Sequence, residues 1–176
     1  MLDDLPLDPA IHDRQGFACG VPELDDYLHR LAEQHRRRGI SSVYVLTDSA
    51  QPERILGYYT LSAAEVDGQR LTEVERKKLP RYPVPCFRMG RLACRTDQQG
   101  LGLGKLLLGC AVDRCLKARL QVAAYALLVD AKDDAAKAFY VHFGFKPLLD
   151  STHGAVLAVG AIEQFFGADR AITPRP

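Results

Sequence analysis

Apolar residues recur at two different spacings in the N-terminal part of the chain, and each spacing predicts a different element. Between residues 22 and 38 they recur at helical spacing, at Leu24, Tyr27, Leu28 and Leu31. This predicts an amphipathic helix, with Pro22 suited to its first turn and Gly39 to its end. Residues 42–47 and 54–65 are instead rich in β-branched and aromatic side chains, on either side of a turn-forming stretch. They predict an antiparallel hairpin.

Beyond the hairpin the pattern alternates between strand and helix. It predicts a short helix at 72–79 and then a strand at 86–94, which is entered through Pro80, Pro83 and Pro85. A glycine-rich loop follows, then a helix at 103–120, a continuously apolar strand at 122–129 and a helix at 133–143. The apolar stripe expected on the first of these helices is Leu103, Leu106, Leu107, Cys110 and Ala111. Alternation of this kind is typical of an α/β fold.

The composition is that of a globular protein. Of 176 residues, 47% are hydrophobic and 26% charged, and the mean hydropathy is -0.12. We therefore expect a single domain over residues 1–166, followed by a flexible tail at 167–176. The apolar runs are far shorter than the roughly 20 residues that span a bilayer, and the first residues are acidic where a secretory signal would be basic. These features predict a cytoplasmic protein with no membrane segment.

The cysteines show no pattern of metal binding or disulfide pairing. There are five, Cys19, Cys86, Cys94, Cys110 and Cys115. An odd number cannot all pair, and no two have the Cys-x-x-Cys spacing of zinc or redox motifs. We predict that they are reduced and mostly buried, and that the chain has no metal site.

Positive charge is unevenly distributed, although the net charge is only +1. Acidic residues dominate the first 26 positions, and basic residues then form two clusters. The first cluster is His29, Arg30, His35, Arg36, Arg37 and Arg38. The second is Arg76, Lys77, Lys78, Arg81, Arg88 and Arg91, with no carboxylate among residues 76–91. Either cluster is compatible with a solvated surface or with contacts to phosphate groups.

A glycine-rich loop joins the strand at 86–94 to the helix after it. Its sequence is Asp97-Gln98-Gln99-Gly100-Leu101-Gly102-Leu103-Gly104-Lys105. At such a junction backbone N–H groups and the helix dipole converge on an anion, and glycines let the backbone approach a phosphate closely. The glycine spacing matches neither a P-loop nor the dinucleotide pattern Gly-x-Gly-x-x-Gly. Taken alone, the loop is also compatible with an ordinary tight turn.

Two motifs taken together resemble those of a known family. The spacing Gln99-x-x-Gly102-x-Gly104 is similar to the acetyl-CoA motif of the GNAT superfamily of N-acetyltransferases, and residues 138–145 are similar to its second hallmark. The resemblance implies a GNAT fold, in which a central mixed, mostly antiparallel sheet is flanked by helices and splayed between the fourth and fifth strands. It also implies acetyl-CoA as the cosubstrate. The cofactor contacts it implies are Leu92, Ala93, Cys94, Gln99, Gly100, Leu101, Gly102, Leu103, Gly104, Lys105 and Phe139.

The resemblance assigns the role of general acid to Tyr140. We expect Phe139 and Phe143 to share a buried face of the helix at 133–143, with Tyr140 about 100° away toward the cofactor. A phenol with a reference pKa of about 10 stays protonated at neutral pH and can protonate a thiolate whose pKa is about 8.5. The alternative is a tyrosine that packs in the core and places its hydroxyl against a surface partner.

The predicted catalytic strand offers no general base, because residues 86–94 contain no Asp or Glu. A lysine acceptor, with a pKa of about 10.4, would need such a base, whereas an α-amine at about 8 is already substantially neutral. The missing carboxylate therefore favours an α-amine as acceptor. Glu65, at the end of the hairpin, is a weaker base candidate and is more typical of a solvated strand end.

The resemblance is closer to one branch of the superfamily, the acetyltransferase toxins of bacterial toxin–antitoxin pairs, which acetylate the amino acid on charged tRNA. Matching stretches lie within residues 17–145 and include Gly57-Tyr58-Tyr59-Thr60-Leu61-Ser62, Arg81-Tyr82-Pro83-Val84-Pro85 and Gly90-Arg91-Leu92-Ala93. The resemblance implies aminoacyl-tRNA as acceptor, a ribbon-helix-helix antitoxin as partner, and a homodimer. The tRNA contacts predicted for this function are Arg36, Arg37, Arg76, Lys77, Lys78, Arg81 and Arg91.

Two other functions are open at this point. One is a protein or small-amine N-acetyltransferase of the same fold, and the other is a module that binds acetyl-CoA without turnover. A cationic small amine would need acidic groups around it, whereas the predicted acceptor side is basic. The presence of Gln99, Gly102, Gly104 and Tyr140 argues against a module without turnover.

Overall fold

The computed structural model describes residues 1–158. Their strands are β1 (Leu2–Pro6), β2 (Ser42–Asp48), β3 (Gly57–Val66), β4 (Val84–Cys94), β5 (Ala126–Asp130), β6 (Lys146–Pro147) and β7 (Gly154–Ala158). Their α-helices are α1 (Pro22–Asp26), α2 (Ala32–Arg37), α3 (Glu73–Arg76), α4 (Leu103–Arg119) and α5 (Asp134–His142). The tail predicted at 167–176, and the part of the apolar stretch 155–162 that follows Ala158, lie outside the described residues.

The strands form one mixed sheet of seven, in the order β1-β2-β3-β4-β5-β7-β6. The pairs β1–β2, β2–β3, β5–β7 and β6–β7 are antiparallel. β4 runs parallel to β5, with Arg88 opposite Leu128. This topology confirms the predicted fold class, a mixed and mostly antiparallel sheet flanked by helices. β4 continues to Cys94, well past the position that pairs with the end of β5.

The described residues group into two compact units. The first comprises Met1–Ser62 and Gly90–Ala111, and the second comprises Ala63–Met89 and the described residues from Val112 onward. Each unit contains its own cluster of buried apolar side chains. A single domain over residues 1–166 stays a prediction.

The core of the first unit is built around aromatic side chains. Phe17, Tyr27 and Tyr58 are each at most 1% exposed, and the rings of Phe17 and Tyr58 meet edge to face at 5.5 Å. The Tyr58 hydroxyl donates a hydrogen bond to the backbone oxygen of Leu24 at 2.8 Å. Burial raises the pKa of Tyr58 well above its usual value, so this phenol is a neutral hydrogen-bond donor within the core. It joins β3 to the N-terminal helices.

A π-helical turn at Tyr27–Leu31 separates α1 from α2, where the apolar pattern predicts a continuous helix. The N–H of Ala32 donates to the oxygen of Tyr27, five residues earlier, so the turn accommodates one extra residue. The positions after it are therefore rotated relative to a regular helix. Ala32 is fully buried, whereas Leu31 is 43% exposed. The predicted stripe is confirmed at Tyr27 and Leu28 and is wrong at Leu31.

The core of the second unit is centred on β5. Every residue from Ala126 to Val129 is buried, as the continuously apolar pattern predicts. The strand begins four residues later than predicted, because Val122 belongs to the turn that ends α4. Its N–H donates to the oxygen of Ala118 at 3.0 Å, and its side chain is 69% exposed. The apolar character of Val122 was thus a misleading signal for a strand.

Two other elements differ from the sequence prediction. β1 was not predicted, because its sequence Leu-Asp-Asp-Leu-Pro has neither the composition nor the alternation of a strand. It forms by antiparallel pairing with β2, and the Tyr59 hydroxyl donates to Asp4 at 3.0 Å. The helix predicted at 72–79 is confirmed only as one turn, α3.

Helix α4 confirms most of the predicted apolar stripe. Leu107, Cys110 and Ala111 are buried, whereas Leu103 and Leu106 are half-buried. All five cysteines are free, and Cys94 is half-buried while the other four are buried, as predicted. Within residues 1–158 no helix is long and apolar enough to span a bilayer.

Candidate active site

The glycine-rich loop lies between the end of β4 and the start of α4. A short 3-10 turn covers Thr96–Gln98, and α4 begins at Leu103. Between them Gly100 and Gly102 have φ values of +77° and +83°. Side chains rarely adopt this left-handed region, so both positions require glycine for conformational reasons.

Two glycines of the loop, Gly100 and Gly102, lie in open space at the N-terminal end of α4. The oxygen of Gly102 accepts the first helical hydrogen bond, from the N–H of Leu106 at 3.2 Å. The first N–H groups of an α-helix have no acceptor within the helix itself, and the positive end of the helix dipole lies here. A Cβ built on Gly100 or Gly102 would meet no atom within 4 Å. This arrangement fits a phosphate-bearing cofactor, because such a group can approach the backbone without a steric obstacle.

The side chain of Gln99 holds the start of the loop. Its Nε2 donates hydrogen bonds to the backbone oxygens of Cys19, at 2.8 Å, and Cys94, at 3.1 Å. Both acceptors are carbonyls, so only the amide nitrogen can serve them. Gln99 therefore links the loop to the last residue of β4 and to a segment some 80 residues earlier in the chain.

The end of β4 is closely packed within the first unit. Ala93 is 4% exposed, and Leu92 and Cys94 are half-buried. A Cβ on Gly57 would lie 2.9 Å from the oxygen of Ala93 and 2.6 Å from Leu107 Cδ1, so β3 approaches both β4 and α4 closely. Burial raises the pKa of Cys94 to about 11. Its thiol is therefore protonated at neutral pH and is not a nucleophile.

Tyr140 lies near the end of α5, a helix with well-defined limits. At its start, Asp133 Oδ1 accepts a hydrogen bond from the N–H of Ala136 at 2.8 Å, as an N-cap. At its end, Gly144 adopts a φ of +89°, and the N–H of Phe145 donates to the oxygen of Tyr140 at 3.1 Å. The glycine turns the chain back, so that Phe145 reaches the Tyr140 side chain.

Tyr140 is a buried member of an aromatic cluster in which Phe145, at 2% exposed, is more buried still. Tyr140 is 7% exposed, and its ring lies 5.3 Å from Phe139 and 5.4 Å from Phe145. Phe139 and Phe143 pack against each other at 5.0 Å, but both are only half-buried. The prediction that these two phenylalanines form the buried face is therefore wrong. Phe145 covers Tyr140 because Gly144 reverses the chain, which helix periodicity alone does not reveal.

The predicted cofactor and acid residues are distributed over both units. The first unit brings together the end of β4, the glycine loop and the segment around Cys19. The second unit brings together Phe139 and Tyr140. The joint action of these two groups stays a prediction of the paired motifs.

The basic residues predicted in the first unit differ in their surroundings. Arg36 donates two hydrogen bonds to Glu33, at 2.9 and 3.0 Å, which raise the pKa of Arg36 and lower that of Glu33. The guanidinium of Arg91 stacks over the ring of Tyr27, with its Cζ 3.6 Å from the centroid. Arg37 is exposed on α2. A phosphate would therefore compete with protein partners at Arg36 and Arg91.

The basic residues predicted in the second unit are all exposed. They are Arg76, Lys77, Lys78 and Arg81. Lys77 pairs with Glu73 at 2.8 Å. Residues 76–91 contain no carboxylate of their own, yet the fold brings Asp130 against Arg88. Sequence reasoning missed this ion pair, because its partners are 42 residues apart.

Sequence reasoning also assigned no role to residues 16–20, which lie against the start of the glycine loop. Arg95 Nη1 donates to the oxygen of Gly16 at 2.6 Å, and Thr96 Oγ1 donates to the oxygen of Ala18 at 3.0 Å. These contacts join residues nearly 80 positions apart. The only signal was that the similarity to the toxins extends over residues 17–145, which names no function for residues 16–20.

Comparison with protein families decides the membership of the chain. A family model described as an acetyltransferase (GNAT) domain matches residues 41–147, which is more than half of the chain. The chain belongs to the GNAT family. It is accordingly an acetyl-CoA-dependent N-acetyltransferase, as the glycine loop and the Tyr140 motif together predict.

Relatives of this GNAT protein include toxins. A tRNA-acetylating toxin of Mycobacterium tuberculosis (strain ATCC 25618 / H37Rv) is 37% identical over 134 residues, which cover 76% of this chain and 78% of the toxin. The structure of AtaT complexed with acetyl-methionyl-tRNAfMet has a TM-score of 0.87 at 30% identity, covering 94% of this chain and 99% of that one. A tyrosine-to-phenylalanine variant of AtaT, bound to acetyl-CoA and the C-terminus of the antitoxin AtaR, has a TM-score of 0.81 at 28% identity, covering 94% and 98%. The resemblance to the toxin branch is thus confirmed.

Proposed function

We propose that this chain is a toxin that transfers the acetyl group of acetyl-CoA to the α-amine of aminoacyl-tRNA and thereby blocks translation. The observation that carries the proposal is the loop at the N-terminus of α4, where Gly100 and Gly102 have left-handed backbone and open space around them, so that an anion can approach the helix end. Similarity to the Mycobacterium tuberculosis toxin and to AtaT supports tRNA as the acceptor.

The loop would hold the diphosphate of acetyl-CoA. When bound, acetyl-CoA supplies a thioester, which is an acyl group activated toward amines. The backbone at the end of β4 and the half-buried Phe139 would orient the rest of the molecule. In this proposal the residues that contact the cofactor are Leu92, Ala93, Cys94, Gly100, Leu101, Gly102, Leu103, Gly104, Lys105 and Phe139, and Gln99 holds the loop that they flank.

Tyr140 acts as the general acid of this reaction. Its hydroxyl donates a proton to the departing thiolate, and a phenol carries that proton at neutral pH. The ring is held by Phe139 and Phe145, so aromatic packing rather than a flexible stem positions the hydroxyl. Restricting the motion of the acid in this way lowers the entropic cost of reaching the transition state.

The acceptor is an amine that needs little help to lose its proton. Strand β4 contains no Asp or Glu, and Glu65 is exposed on β3. An α-amine with a pKa of about 8 is partly neutral at physiological pH, so water can take its proton. A lysine side chain would be almost entirely protonated under the same conditions.

Phosphates of tRNA would contact the exposed basic residues. Arg76, Lys78 and Arg81 are the main contacts in the second unit, because Lys77 is already paired with Glu73. In the first unit Arg37 can bind a phosphate directly. Arg36 must first release Glu33, and Arg91 must first leave the ring of Tyr27.

The toxin assignment carries further proposals about partners and location. We expect a ribbon-helix-helix antitoxin, a homodimer, a cytoplasmic location where charged tRNA is found, and a single domain over residues 1–166. The complex of AtaT with the C-terminus of AtaR supports an antitoxin of some type.

The acceptor is tested by giving the purified protein labelled acetyl-CoA together with either bulk charged tRNA or lysate protein. We expect label in the charged tRNA, recovered as N-acetylated amino acid after the ester is hydrolysed and identified by mass spectrometry. Uncharged tRNA is the control and should stay unlabelled. Label in protein alone would replace this proposal with that of a protein N-acetyltransferase.

A further inference from the structure

Residues 16–20, here called the brace segment, lie against the turn that begins the glycine loop. Three of its backbone oxygens accept four hydrogen bonds from that turn and from Gln99. These bonds run from Arg95 Nη1 to Gly16 at 2.6 Å, from the N–H and Oγ1 of Thr96 to Ala18 at 2.8 and 3.0 Å, and from Gln99 Nε2 to Cys19 at 2.8 Å.

The brace segment is itself held in the core of the first unit. Phe17 is 1% exposed and Cys19 is 6% exposed. The N–H of Cys19 donates to Asp25 Oδ1 at 2.8 Å, and His29 Nε2 lies 2.8 Å from the oxygen of Phe17. The segment is therefore a fixed support for the loop rather than a mobile one.

The opposite side of the turn is also held. Asp97 pairs with Arg54 at 2.5 Å and with Arg95 at 3.2 Å, which orients the Arg95 side chain toward the brace segment. The second hydrogen bond of Gln99 ends on the last residue of β4, Cys94. The start of the loop is thus held from two sides.

We propose that Arg95, Thr96 and Gln99 are positioning residues that hold the start of the glycine loop between the brace segment and β4. The backbone N–H groups of residues 100–104 are then already arranged for a diphosphate before acetyl-CoA binds. Without these contacts the two left-handed glycines would have to be ordered on binding, at a cost in entropy. Gln99 acts through the loop and is not a ligand of the diphosphate. This inference rests on the proposed acetyl-CoA site and is independent of which acceptor the enzyme uses.

The test is calorimetric binding of acetyl-CoA to the full chain, which needs no acceptor. Gln99→Met keeps the side-chain length but removes the donor, and Thr96→Val removes only the Oγ1 donor. Since one hydrogen bond contributes about 0.5–1.5 kcal/mol, Thr96→Val, which loses one, should bind acetyl-CoA roughly 2 to 10 times more weakly. Gln99→Met loses two hydrogen bonds and should bind it roughly 5 to 150 times more weakly. Binding of acetyl-pantetheine, which lacks the diphosphate, should change less than about twofold, because the loop does not contact it. Gln98→Met and Thr96→Ser, the matched controls, should bind acetyl-CoA as the unchanged protein does.

Two further measurements separate a positioning role from the alternatives. The double variant Thr96→Val with Gln99→Met should weaken binding by less than the product of the single effects, because both release the same loop. Hydrogen exchange at Thr96, Gln98 and Gln99, whose N–H groups are hydrogen-bonded, should become faster in the ligand-free variants. One outcome would show that Gln99 is a direct ligand and that the inference is wrong. In it, Gln99→Met weakens acetyl-CoA binding, whereas Thr96→Val binds acetyl-CoA normally and the exchange rates of both variants stay unchanged. If the unchanged protein does not bind acetyl-CoA at all, the proposed function fails instead.

Discussion

At the scale of single residues, the glycines in and next to the proposed site meet two distinct physical requirements. Gly100 and Gly102 are needed for their left-handed backbone, since the space around them is open. Gly57 is needed for the opposite reason, because its surroundings leave no room for a Cβ. Tyr140 meets a third requirement of the proposed site, because packing against Phe139 and Phe145 holds the ring that carries its hydroxyl.

Replacing Gly102 with alanine tests the conformational requirement. A φ of +83° strains any side chain, so Gly102→Ala should lower stability by about 1–2 kcal/mol and weaken acetyl-CoA binding. Gly109→Ala is the matched control, because Gly109 lies inside α4, also in open space. That change should raise the Tm slightly, as alanine is the better helix former. Thermal melts and calorimetric titration measure both effects, and equal behaviour of the two variants would contradict the prediction.

Replacing Tyr140 with phenylalanine tests the general acid. The ring contacts with Phe139 and Phe145 are preserved, so the fold and the Kd for acetyl-CoA should be unchanged. Loss of the proton donor should lower kcat by roughly 10² to 10⁴. Tyr125→Phe, in the same unit, should retain normal turnover. A Tyr140→Phe enzyme within about tenfold of normal kcat would remove Tyr140 from this role.

At the scale of elements, packing rather than intrinsic preference decides where helices and strands begin and how they are turned. The π-helical turn at Tyr27–Leu31 rotates α2 so that Ala32 enters the core in place of Leu31. β1 forms without a strand-like sequence, because β2 offers it a partner. β3, β4 and α4 meet at Gly57, where the absence of a side chain allows the three elements to pack closely.

Replacing Gly57 with alanine tests this junction. The new Cβ would lie 2.9 Å from the oxygen of Ala93, a backbone atom that cannot rotate away. Overpacking of this kind costs about 1–3 kcal/mol, so the Tm should fall by several degrees. Adding Leu107→Ala should not restore the Tm, because it relieves only the side-chain clash at 2.6 Å. A Tm equal to that of the unchanged protein would show that the strands can separate at this point.

At the scale of the whole molecule, the net charge is only +1, although basic residues form two clusters along the chain. The structure sorts their members into residues already paired, such as Arg36, Lys77 and Arg88, and residues that are exposed, such as Arg76, Lys78 and Arg81. Only the second kind can meet a phosphate without first losing a protein partner.

Changing Arg76, Lys78 and Arg81 together to glutamine tests the proposed tRNA surface. Affinity for charged tRNA should fall, and the slope of log K against log salt should become shallower by about 2 units. Acetyl-CoA binding should not change. The matched control changes Lys117, Arg119 and Lys132 to glutamine, which removes the same charge elsewhere on the surface. An equal loss in both triple variants would mean that only net charge matters.

Local sequence was sufficient to predict those elements that are formed by one continuous run of the chain. The glycine loop before α4, the helix that carries Tyr140 and the buried strand β5 each depend on a short run of residues whose spacing or composition follows from backbone geometry. The family followed from the resemblance of two such runs, in order along the chain, to GNAT motifs.

The other features of the site depend on packing between segments that are distant in the sequence. The support of the loop by residues 16–20 and the pairing of Arg88 with Asp130 join groups that no local pattern connects. Apolar spacing also misled at Leu31 and Val122, since a π-helical turn and a helix end changed which side chains the core could reach. The residues proposed to perform the chemistry could be predicted from the chain, whereas contacts such as those of residues 16–20 with the loop depend on distant segments meeting in the folded state.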